Sequence, residues 1–390
     1  MTNKKTVALS RAENYDFDLI KGILAEHFRA LNVDKEFFAG KKVAIKPNLV
    51  MKKSPDAAAT THPVVLDALL SLLSEMDIRP VVAESPGGVY SKSRIESIYR
   101  VCGIESVASK YGDVLNFDMT WKKMSFSEAS VCHEFDIITP LYEADVIIDL
   151  CKLKSHSLTK MSGAVKNFFG SVPGITKFEM HATYPENDRF CSMICDLCRM
   201  MCEKKKIIAI TDAIVGMEGN GPTGGNPKKI GCIISSDDPF ASDLVAQSIL
   251  GFAGSVPMIN EAVSRGYIPG DFHELNLVGE KPENLFLNDF SEPDSTKKRG
   301  ISALKFFSQG KMGELFSPRP LVNKDLCRGC GECHNSCPQH TIIMEEKKGK
   351  RFARIEPKKC IRCFCCQELC PFTAIDTKKN FILNIISSIK

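Results

Sequence analysis

Hydrophobic positions along roughly the first 290 residues form short continuous runs, separated by longer stretches in which they recur at helical spacing. The short apolar runs predict strands at Thr6–Ser10, Lys42–Ile45, Pro80–Glu84, Asp145–Leu150, Ile207–Ile210 and Ile230–Ile234. The helical spacing predicts helices at Phe17–Leu31, at Val64–Leu73 and from Asp238 to about Leu250. Strands without polar alternation are typical of sheets buried on both faces. The pattern therefore predicts an α/β fold, a mostly parallel sheet with helices on both faces.

Residues 291–320 break this rhythm with a polar stretch that begins SEPDSTKKRG and ends near SPRP. Beyond it the chain repeats itself, because PLVNKDLC and ARIEPKKC each lead into a cysteine run, and the two runs start 33 residues apart. We therefore predict an α/β domain over 1–290, a linker over 291–320, and a small ferredoxin-type α+β domain over 321–390.

The two cysteine runs carry the clearest chemistry in the sequence. They are CRGCGECHNSC at 327–337 and CIRCFCCQELC at 360–370, and a proline follows each. Both fit C-x2-C-x2-C-x3-C-P, the run that holds iron–sulfur clusters in bacterial ferredoxins, where the fourth cysteine ligates the other cluster. The spacing predicts two [4Fe–4S] clusters. The first takes Cys327, Cys330, Cys333 and Cys370, and the second takes Cys360, Cys363, Cys366 and Cys337.

Other uses of these cysteines fit less well. Zinc sites use paired C-x2-C knuckles, and a disulfide framework requires a secreted context, for which the sequence gives no sign. Cys365 falls outside the ligand spacing, and we predict that it packs beside a cluster.

The spacing Cys191-x3-Cys195-x2-Cys198 matches a radical-SAM motif, with Cys202 following. These four positions form one stripe of a helix, so we predict that they pack in the core.

Four groups of polar residues follow the predicted strands of the large domain. They are Lys46-Pro47-Asn48, the segment Lys152–His156, Lys166-Asn167, and Asp212 with the glycine-rich stretch 217–227. In open parallel sheets, ligands bind at the carboxyl ends of the strands. The candidate catalytic residues are Lys154, His156, Lys166 and Asp212. The candidate ligand-binding residues are Lys46, Asn48, Lys152, Asn167, Gly219, Asn220, Gly221 and Gly224.

These residue types suit an anionic ligand. Lysines supply point charges for phosphate or carboxylate, glycine-rich backbone can present N–H groups to an anion, and histidine can move a proton near neutral pH. A simpler alternative remains for each. The glycine-rich stretch matches no nucleotide-binding pattern and can be an ordinary loop, lysines after strands are often only solvated, and a lone histidine is often structural.

Composition narrows the class of protein. The chain has 390 residues, 17 cysteines and a net charge of +4. It has no basic block with interleaved aromatics, so we expect no nucleic-acid partner. It has neither the apolar segment of a signal peptide nor an apolar run long enough to span a membrane. Reduced cysteines with cluster motifs indicate a cytoplasmic protein in a reducing, anaerobic setting.

Several stretches of the large domain together resemble the "domain of unknown function 362" family. They are IKPNLV, KLKSH, GAVKNFFGSVPG, DAIVGMEGNGPTGGNP and SSDDPFASD. The resemblance covers roughly residues 40–255. It implies the same architecture, since members of that family often carry a ferredoxin module, commonly in anaerobes, but it implies no particular chemistry.

Two hypotheses about function follow. In the first, the protein is an oxidoreductase whose large domain binds a small anionic substrate, and the clusters supply it with electrons from a redox partner protein. The lysines and histidine near strand ends favour this hypothesis. In the second, the protein is an electron carrier whose large domain only docks a partner. The lack of any flavin, nicotinamide or radical-SAM fingerprint favours the carrier.

Overall fold

The structure, a computed structural model, describes residues 4–296, 319–347 and 349–378. Its large domain is built on one sheet of eight strands. Their bounds are β1 Thr6–Arg11, β2 Val43–Pro47, β3 Val81–Val82, β6 Val146–His156, β7 Lys160–Ser162, β8 Lys206–Glu218, β9 Asn226–Ser236 and β10 Asn276–Gly279. Strands β4 (Trp121–Ser125) and β5 (Glu134–Ile138) form a separate antiparallel hairpin.

The strand order in the sheet is β10-β1-β9-β8-β6-β2-β3, with β7 paired to β6. Four of the seven pairings among these described strands are parallel: β10–β1, β8–β6, β6–β2 and β2–β3. Strand β9 runs antiparallel to both of its neighbours, and β7 is antiparallel to β6. The predicted α/β fold with a mostly parallel sheet is confirmed, and β9 and β7 make the sheet mixed.

Helices cover both faces of the sheet. Their bounds in the large domain are α1 Phe17–Ala30, α2 Lys35–Phe38, α3 Pro63–Glu75, α4 Lys92–Val101, α5 Ile104–Ala108, α6 Thr139–Glu143, α7 Ala164–Asn167, α8 Gly174–Thr183, α9 Asn187–Lys204, α10 Pro239–Ile249 and α11 Pro257–Ser264. Single-turn 3-10 helices lie at Pro55–Ala57, Ser109–Tyr111, Phe168–Ser171, Phe272–Glu274 and Pro282–Leu285. No helix among the described residues is long and apolar enough to cross a membrane.

Two hydrophobic cores lie on opposite faces of the sheet. Helices α1, α3, α4 and α5 supply one core, and helices α9, α10 and α11 supply the other. Local signals set the helix starts. The side chain of Asp238 accepts hydrogen bonds from the N–H groups of Phe240 and Ala241, which caps α10 where the sequence predicted it.

The cysteine stripe lies in α9, as its helical spacing predicts. Cys191, Cys195 and Cys198 are almost completely buried in the core, and Cys202 is half-buried at its edge. Burial raises the pKa of Cys191 to about 12, which keeps it a neutral thiol. These thiols therefore pack as small hydrophobic groups.

The C-terminal module is small and contains the two cysteine runs. Its strands are β11 Arg319–Val322, β12 Ile342–Lys347, β13 Lys350–Ile355 and β14 Ile375–Lys378, and its one-turn helices are α12 Glu332–Asn335 and α13 Cys365–Glu368. Strand β11 pairs with β14, and β12 with β13, both antiparallel.

Of the predicted linker 291–320, residues 297–318 lie outside the described ranges. Its first residues pack on the large domain. Ser291 donates its N–H to Glu218 Oε2 at 2.8 Å, and Asp294 donates its N–H to Asn220 Oδ1 at 2.9 Å. The contacts of the α/β domain therefore extend past residue 290.

Candidate functional site

Strand β6 carries three of the predicted site residues inside it rather than after it. The sequence suggested an end near Leu150, but the strand continues to His156, and Lys152, Lys154 and His156 are all almost fully buried. The pairing register between β6 and β8 shifts between Lys152 and Lys154. Beyond that irregularity, Lys154 and His156 line a cavity.

The cavity lies between the large domain and the cluster module and has a volume of about 80 Å³. One wall comes from α13 and the residue after it, through Cys365, Glu368 and Leu369. The other walls belong to the large domain. Their polar lining residues are Asn48, Glu84, Ser85, Lys154, His156, Ser162, Lys166, Asn167, Lys177 and His181.

Lys154 reaches the cavity from β6. Its Nζ donates to Asn48 Oδ1 at 2.8 Å and to the carbonyl of Ala59. Burial lowers the pKa of Lys154 to about 7, and the Glu368 carboxylate only partly opposes that effect. Because both hydrogen bonds go to neutral oxygens, the ammonium lacks a full counter-charge.

Lys166 lies on α7, and its ammonium makes no hydrogen bond or ion pair with any residue in the described ranges. It lies 4.5 Å from the centre of the Phe169 ring and 5.7 Å from that of Phe190. Only 9% of Lys166 is exposed, and burial lowers its pKa. Its ammonium is therefore held by ring faces and is free to meet an anion in the cavity.

His156 joins the two domains. The N–H groups of Leu158 and Thr159 donate to its Nδ1 at 3.1 and 3.3 Å, so the proton of the neutral ring sits on Nε2. Nε2 lies 3.2 Å from Glu368 Oε1 of the cluster module. Burial lowers the pKa of His156, and the Glu368 carboxylate opposes that shift.

Glu368 is the acidic group of the cluster-module wall. Burial alone would raise the pKa of Glu368, but His156 and then Lys166 outweigh burial and lower it to about 2. The carboxylate is therefore ionised, and it is shared among several basic groups of the large domain.

The sequence analysis did not predict six of the polar residues that line the cavity: Glu84, Ser85, Ser162, Lys177, His181 and Glu368. Lys177 and His181 are four residues apart on α8 and so share a helix face, which is the signal that could have found them. Burial lowers the pKa of Lys177 to about 7 and that of His181 to about 3. Ser85, in a stretch that resembles a simple turn, is fully buried, and its Oγ has no hydrogen-bond partner in the described part of the chain.

Asparagines fix the lysines at the floor of the cavity. Asn48 Nδ2 donates to Asn167 Oδ1 at 2.9 Å, and Asn167 Nδ2 donates to Asp149 Oδ1 at 2.6 Å.

Lys46 does not line the cavity. Its Nζ forms a buried ion pair with Glu84 at 2.8 Å, and Glu84 does line it. Lys46 thus neutralises a carboxylate that would otherwise repel an anion.

Lys152 and Asp212 lie outside the cavity. Lys152 Nζ contacts Asp212 Oδ2 at 2.9 Å and donates to the Tyr15 hydroxyl at 2.8 Å, while Tyr15 donates to Asp212 Oδ1 at 3.1 Å. Asp212 also accepts the N–H of His62 at 3.0 Å, at the start of α3. This closed network is a structural ion pair that ties β6, β8 and α3 together, and the structure does not bring Asp212 to the other candidate catalytic residues.

The glycine-rich stretch touches the cavity only through Pro222. The N–H groups of Gly219 and Gly221 donate to the carbonyls of Ser291 and Gly219, so neither points at a ligand. The carbonyl of Gly221 accepts from Ser157, and Asn220 is held by Asp294. A Cβ added at Gly224 would lie 3.4 Å from the carbonyl oxygen of Asn220, an ordinary contact. The stretch therefore forms no anion-binding nest. It instead contacts the cluster module, where Thr223 Oγ1 donates to the carbonyl of Glu368 at 2.9 Å.

The structure brings the last cysteine of the second run close to three cysteines of the first run. Cys327, Cys330, Cys333 and Cys370 line one small space. The charges that raise the pKa of Cys333, after burial, are those of Cys370, Cys330 and Cys327. Around Cys366 and Cys360 the neighbouring thiols include Cys363 and Cys337. Backbone N–H groups of Arg362 and Ala374 donate to Cys360 and Cys370 sulfurs at 3.4 and 3.2 Å.

This donor set fits iron–sulfur clusters. All of these cysteines are free thiols. No three Cys, His, Asp or Glu side chains in the described residues converge closely enough for a single metal ion. A [4Fe–4S] cluster takes one thiolate on each of four irons and needs more widely spaced sulfurs than one ion does. N–H groups aimed at sulfur are a recognised means of tuning cluster potential.

Cys365 is almost fully buried between the two domains and lines the cavity, beside the second set of cysteines. It follows Cys363 by two residues and precedes Cys366, so the cavity wall and the second set share helix α13. The packed position predicted for Cys365 agrees with its burial.

Known proteins resemble both parts of the chain. A thylakoid-associated protein of Synechocystis sp. is 27% identical over 298 residues, 74% of this chain and 88% of that protein. An iron–sulfur component of the CoB–CoM heterodisulfide reductase of Methanopyrus kandleri is 39% identical over 105 residues, 20% of this chain and 16% of the relative. A polyferredoxin-like protein of Methanocaldococcus jannaschii is 36% identical over 74 residues, 19% and 31% of the two chains.

A solved structure, the lactate racemase apoprotein of Thermoanaerobacterium thermosaccharolyticum, superposes with a TM-score of 0.38 at 12% identity, over 65% of this chain and 58% of that one. Family models match in two places. The 4Fe-4S dicluster domain matches residues 319–371, which makes the C-terminal module an iron–sulfur electron-transfer domain. The Domain of unknown function (DUF362) matches residues 43–248, just over half of the chain, and the protein belongs to that family.

Proposed function

We propose that the protein is an iron–sulfur oxidoreductase that delivers electrons through two [4Fe–4S] clusters to a small anionic substrate bound in the cavity between its domains. The observation that supports it most is the position of the cavity. Lysines and histidines of the large domain form one side, and α13, which carries Cys366 of the second cysteine set, forms the other. When bound, each cluster supplies one electron at a time.

The charges around the cavity favour an anion. Lys154, Lys166 and Lys177 line it, burial lowers the pKa of each, and the one carboxylate there without a lysine ion pair, Glu368, contacts His156. A carboxylate or phosphate would supply the missing counter-charge and raise those pKa values again. Ser85 Oγ, buried without a partner, adds a donor for the same ligand.

The same residues can manage protons. Reduction of a substrate by two electrons usually adds two protons, and the pKa values of Lys154 and Lys177, both about 7, suit groups that donate protons near neutral pH. Most of the polar lining residues are buried, and charge interactions are stronger where contact with bulk water is reduced. An external redox partner protein supplies the electrons, and the thiol-rich module suits the reducing cytoplasm of an anaerobe.

Iron content tests the cofactor. Anaerobically purified protein should hold about eight irons and eight acid-labile sulfides. Cys337→Ala should damage the cluster of Cys360, Cys363 and Cys366 and spare the first. About four irons, or one zinc per chain, would refute the assignment.

Cys195→Ala with Cys198→Ala should leave the iron content unchanged, because these thiols pack in the core.

Anion binding tests the cavity. Calorimetric titration of the anaerobic protein with oxalate or phosphate should show one site, and Lys166→Met should weaken it by about tenfold or more. Lys204→Met, an exposed lysine at the end of α9, is the matched control and should bind as the wild type does. If the clusters assemble but neither anion nor a panel of small carboxylates binds, the electron-carrier hypothesis is the better account.

A further inference from the structure

The first cysteine set has one side exposed to solvent. We define the outer face by Leu326, Arg328, Cys330, Arg351 and Phe372, all exposed. Cys330 is the exposed member of its set, while Cys327, Cys333 and Cys370 are buried. The second set lies beside α13 and the cavity. The two sets therefore offer electrons one route in from solvent and one route towards the substrate.

Two side chains of the outer face are large and apolar. Leu326 is 46% exposed and Phe372 is 42% exposed. Phe372 and Arg328 line the same small space as Cys330, so this apolar surface adjoins the position of the first cluster. Large exposed apolar side chains with a polar rim are typical of sites where another protein binds.

Two side chains of the outer face are basic. Neither Arg328 nor Arg351 makes an ion pair with any residue that the structure describes, and both side chains are exposed. Their segments lie side by side, because a Cβ added at Gly329 would sit 2.7 Å from the carbonyl oxygen of Arg351. Arginine without an internal partner is well suited to bind carboxylates of another protein.

The wider surface of the module also carries an excess of positive charge. Exposed acidic residues among the described ranges of the module are Asp325, Glu346 and Asp376. The exposed basic residues outnumber them: Lys324, Arg328, Lys347, Lys350, Arg351, Arg354, Lys358 and Lys359. A surface of this kind steers an acidic partner and repels a basic one.

We propose that the outer face docks an acidic one-electron carrier protein, which reduces the first cluster beside Cys330. The step is balanced by one electron: the carrier is oxidised by one, the cluster is reduced by one, and no bond forms or breaks. The proposal rests on the proposed pair of clusters but not on the cavity, because an electron carrier would need the same entry point.

The test uses the full-length anaerobic protein and a small acidic [2Fe–2S] ferredoxin as the probe. Binding is measured by calorimetry with the redox-inactive gallium form of the probe, and electron transfer by stopped flow with the reduced probe. Arg328→Glu with Arg351→Glu should weaken binding by about tenfold or more and abolish most of its salt dependence. Cluster absorbance and direct reduction by dithionite should not change.

The matched control is Arg29→Glu with Arg189→Glu, which changes two exposed arginines of the large domain by the same charge. It should bind the probe as the wild type does. Equal affinity for the outer-face variant, an equal loss in the control, or tighter binding of a basic cytochrome c by the wild type would overturn the proposal. If the charge reversal costs the clusters, Arg328→Gln with Arg351→Gln and the salt dependence of the wild type decide instead. The iron content and the anion titration of the wild-type protein, which test the proposed function, do not depend on any of these outcomes.

Discussion

At the scale of single residues, the buried lysines of the cavity have opposite effects on stability and on ligand binding. Lys154, Lys166 and Lys177 are buried, and burial lowers the pKa of each because no carboxylate fully compensates the ammonium. Buried, poorly compensated charges destabilise a fold. Groups that reduce stability while lining a cavity are the usual mark of a binding site.

Lys166→Met tests this conflict. Methionine has a similar length, can pack against Phe169 and Phe190, and leaves no hydrogen-bond partner unsatisfied, because Lys166 has none among the described residues. We expect the ligand-free variant to be more stable at neutral pH by about 1 kcal/mol, or roughly 2–4 °C in the melting temperature. Lys204→Met should change the melting temperature little. A Lys166→Met variant less stable than the wild type would contradict the account of an uncompensated charge.

Anion affinity should depend on pH in a defined direction. The pKa values of Lys154 and Lys177 are both about 7, so their ammonium forms are lost as the pH rises through that value. Oxalate, whose own charge is constant there, should bind more weakly as the pH rises from about 6 to about 9, by up to tenfold per pH unit for each group. Binding should take up protons, measurable by calorimetry in buffers of different ionisation enthalpy. An affinity independent of pH would show that these lysines do not meet the anion.

The lowered pKa values of Lys154 and Lys177 also determine the direction in which stability changes with pH. The unfolded chain holds lysine protons up to about pH 10.4, whereas the folded ligand-free protein releases those of Lys154 and Lys177 near 7. Between these values the unfolded state binds more protons, so the contribution of these lysines to stability rises with pH.

At the scale of elements, the glycine-rich stretch between β8 and β9 holds the domains together. Gly221 approaches β6 so closely that an added Cβ would lie 2.1 Å from the carbonyl oxygen of Ser155. The next residues reach the cluster module, where Thr223 donates to the carbonyl of Glu368. The glycine serves close packing of backbone on backbone, and that packing places one edge of the cavity wall.

Gly221→Ala should therefore shift the stretch and loosen the contact with the cluster module. We expect it to lower stability by about 1–3 kcal/mol and to weaken oxalate binding. Gly224→Ala is a control within the same stretch, since its added Cβ would lie 3.4 Å from the carbonyl oxygen of Asn220. The Gly221→Ala and Gly224→Ala variants should differ clearly in melting temperature and in their affinity for oxalate. Equal effects would mean that the close approach at Gly221 has no special role.

The sequence predicted the elements better than the site. Continuous apolar runs located six strands of the large sheet, and the capping residue Asp238 located α10, because these signals are local. The extension of β6 was missed because four of its last five residues, all but Leu153, are polar yet buried, which only tertiary contacts explain. Ser85 was missed for the same reason, whereas the four-residue spacing of Lys177 and His181 was a local signal that was not used. Asp212 could not be separated from the cavity residues without knowing that Lys152 and Tyr15 satisfy it.

At the scale of the whole molecule, the cysteine spacing carried the most information, since a ligand run predicts both a cofactor and a crossed pairing. The interface between the domains was not encoded in any local pattern. It depends on single contacts that join distant parts of the chain. His156 lies 3.2 Å from Glu368, and Arg94 lies 3.4 Å from Glu332. These contacts place α13 over the basic residues of the large domain, and they make a cavity that neither domain has alone.

The most direct test of this account is a redox titration of the anaerobic protein, followed by electron paramagnetic resonance, with and without saturating oxalate. An anion beside α13 disfavours an added electron on the nearer cluster. We predict that oxalate lowers the potential and alters the spectrum of the cluster ligated by Cys360, Cys363 and Cys366, with little effect on the other, and that Lys166→Met abolishes the response. An anion that binds but leaves both clusters unchanged, or changes both equally, would contradict the claim that the cavity links substrate to cluster.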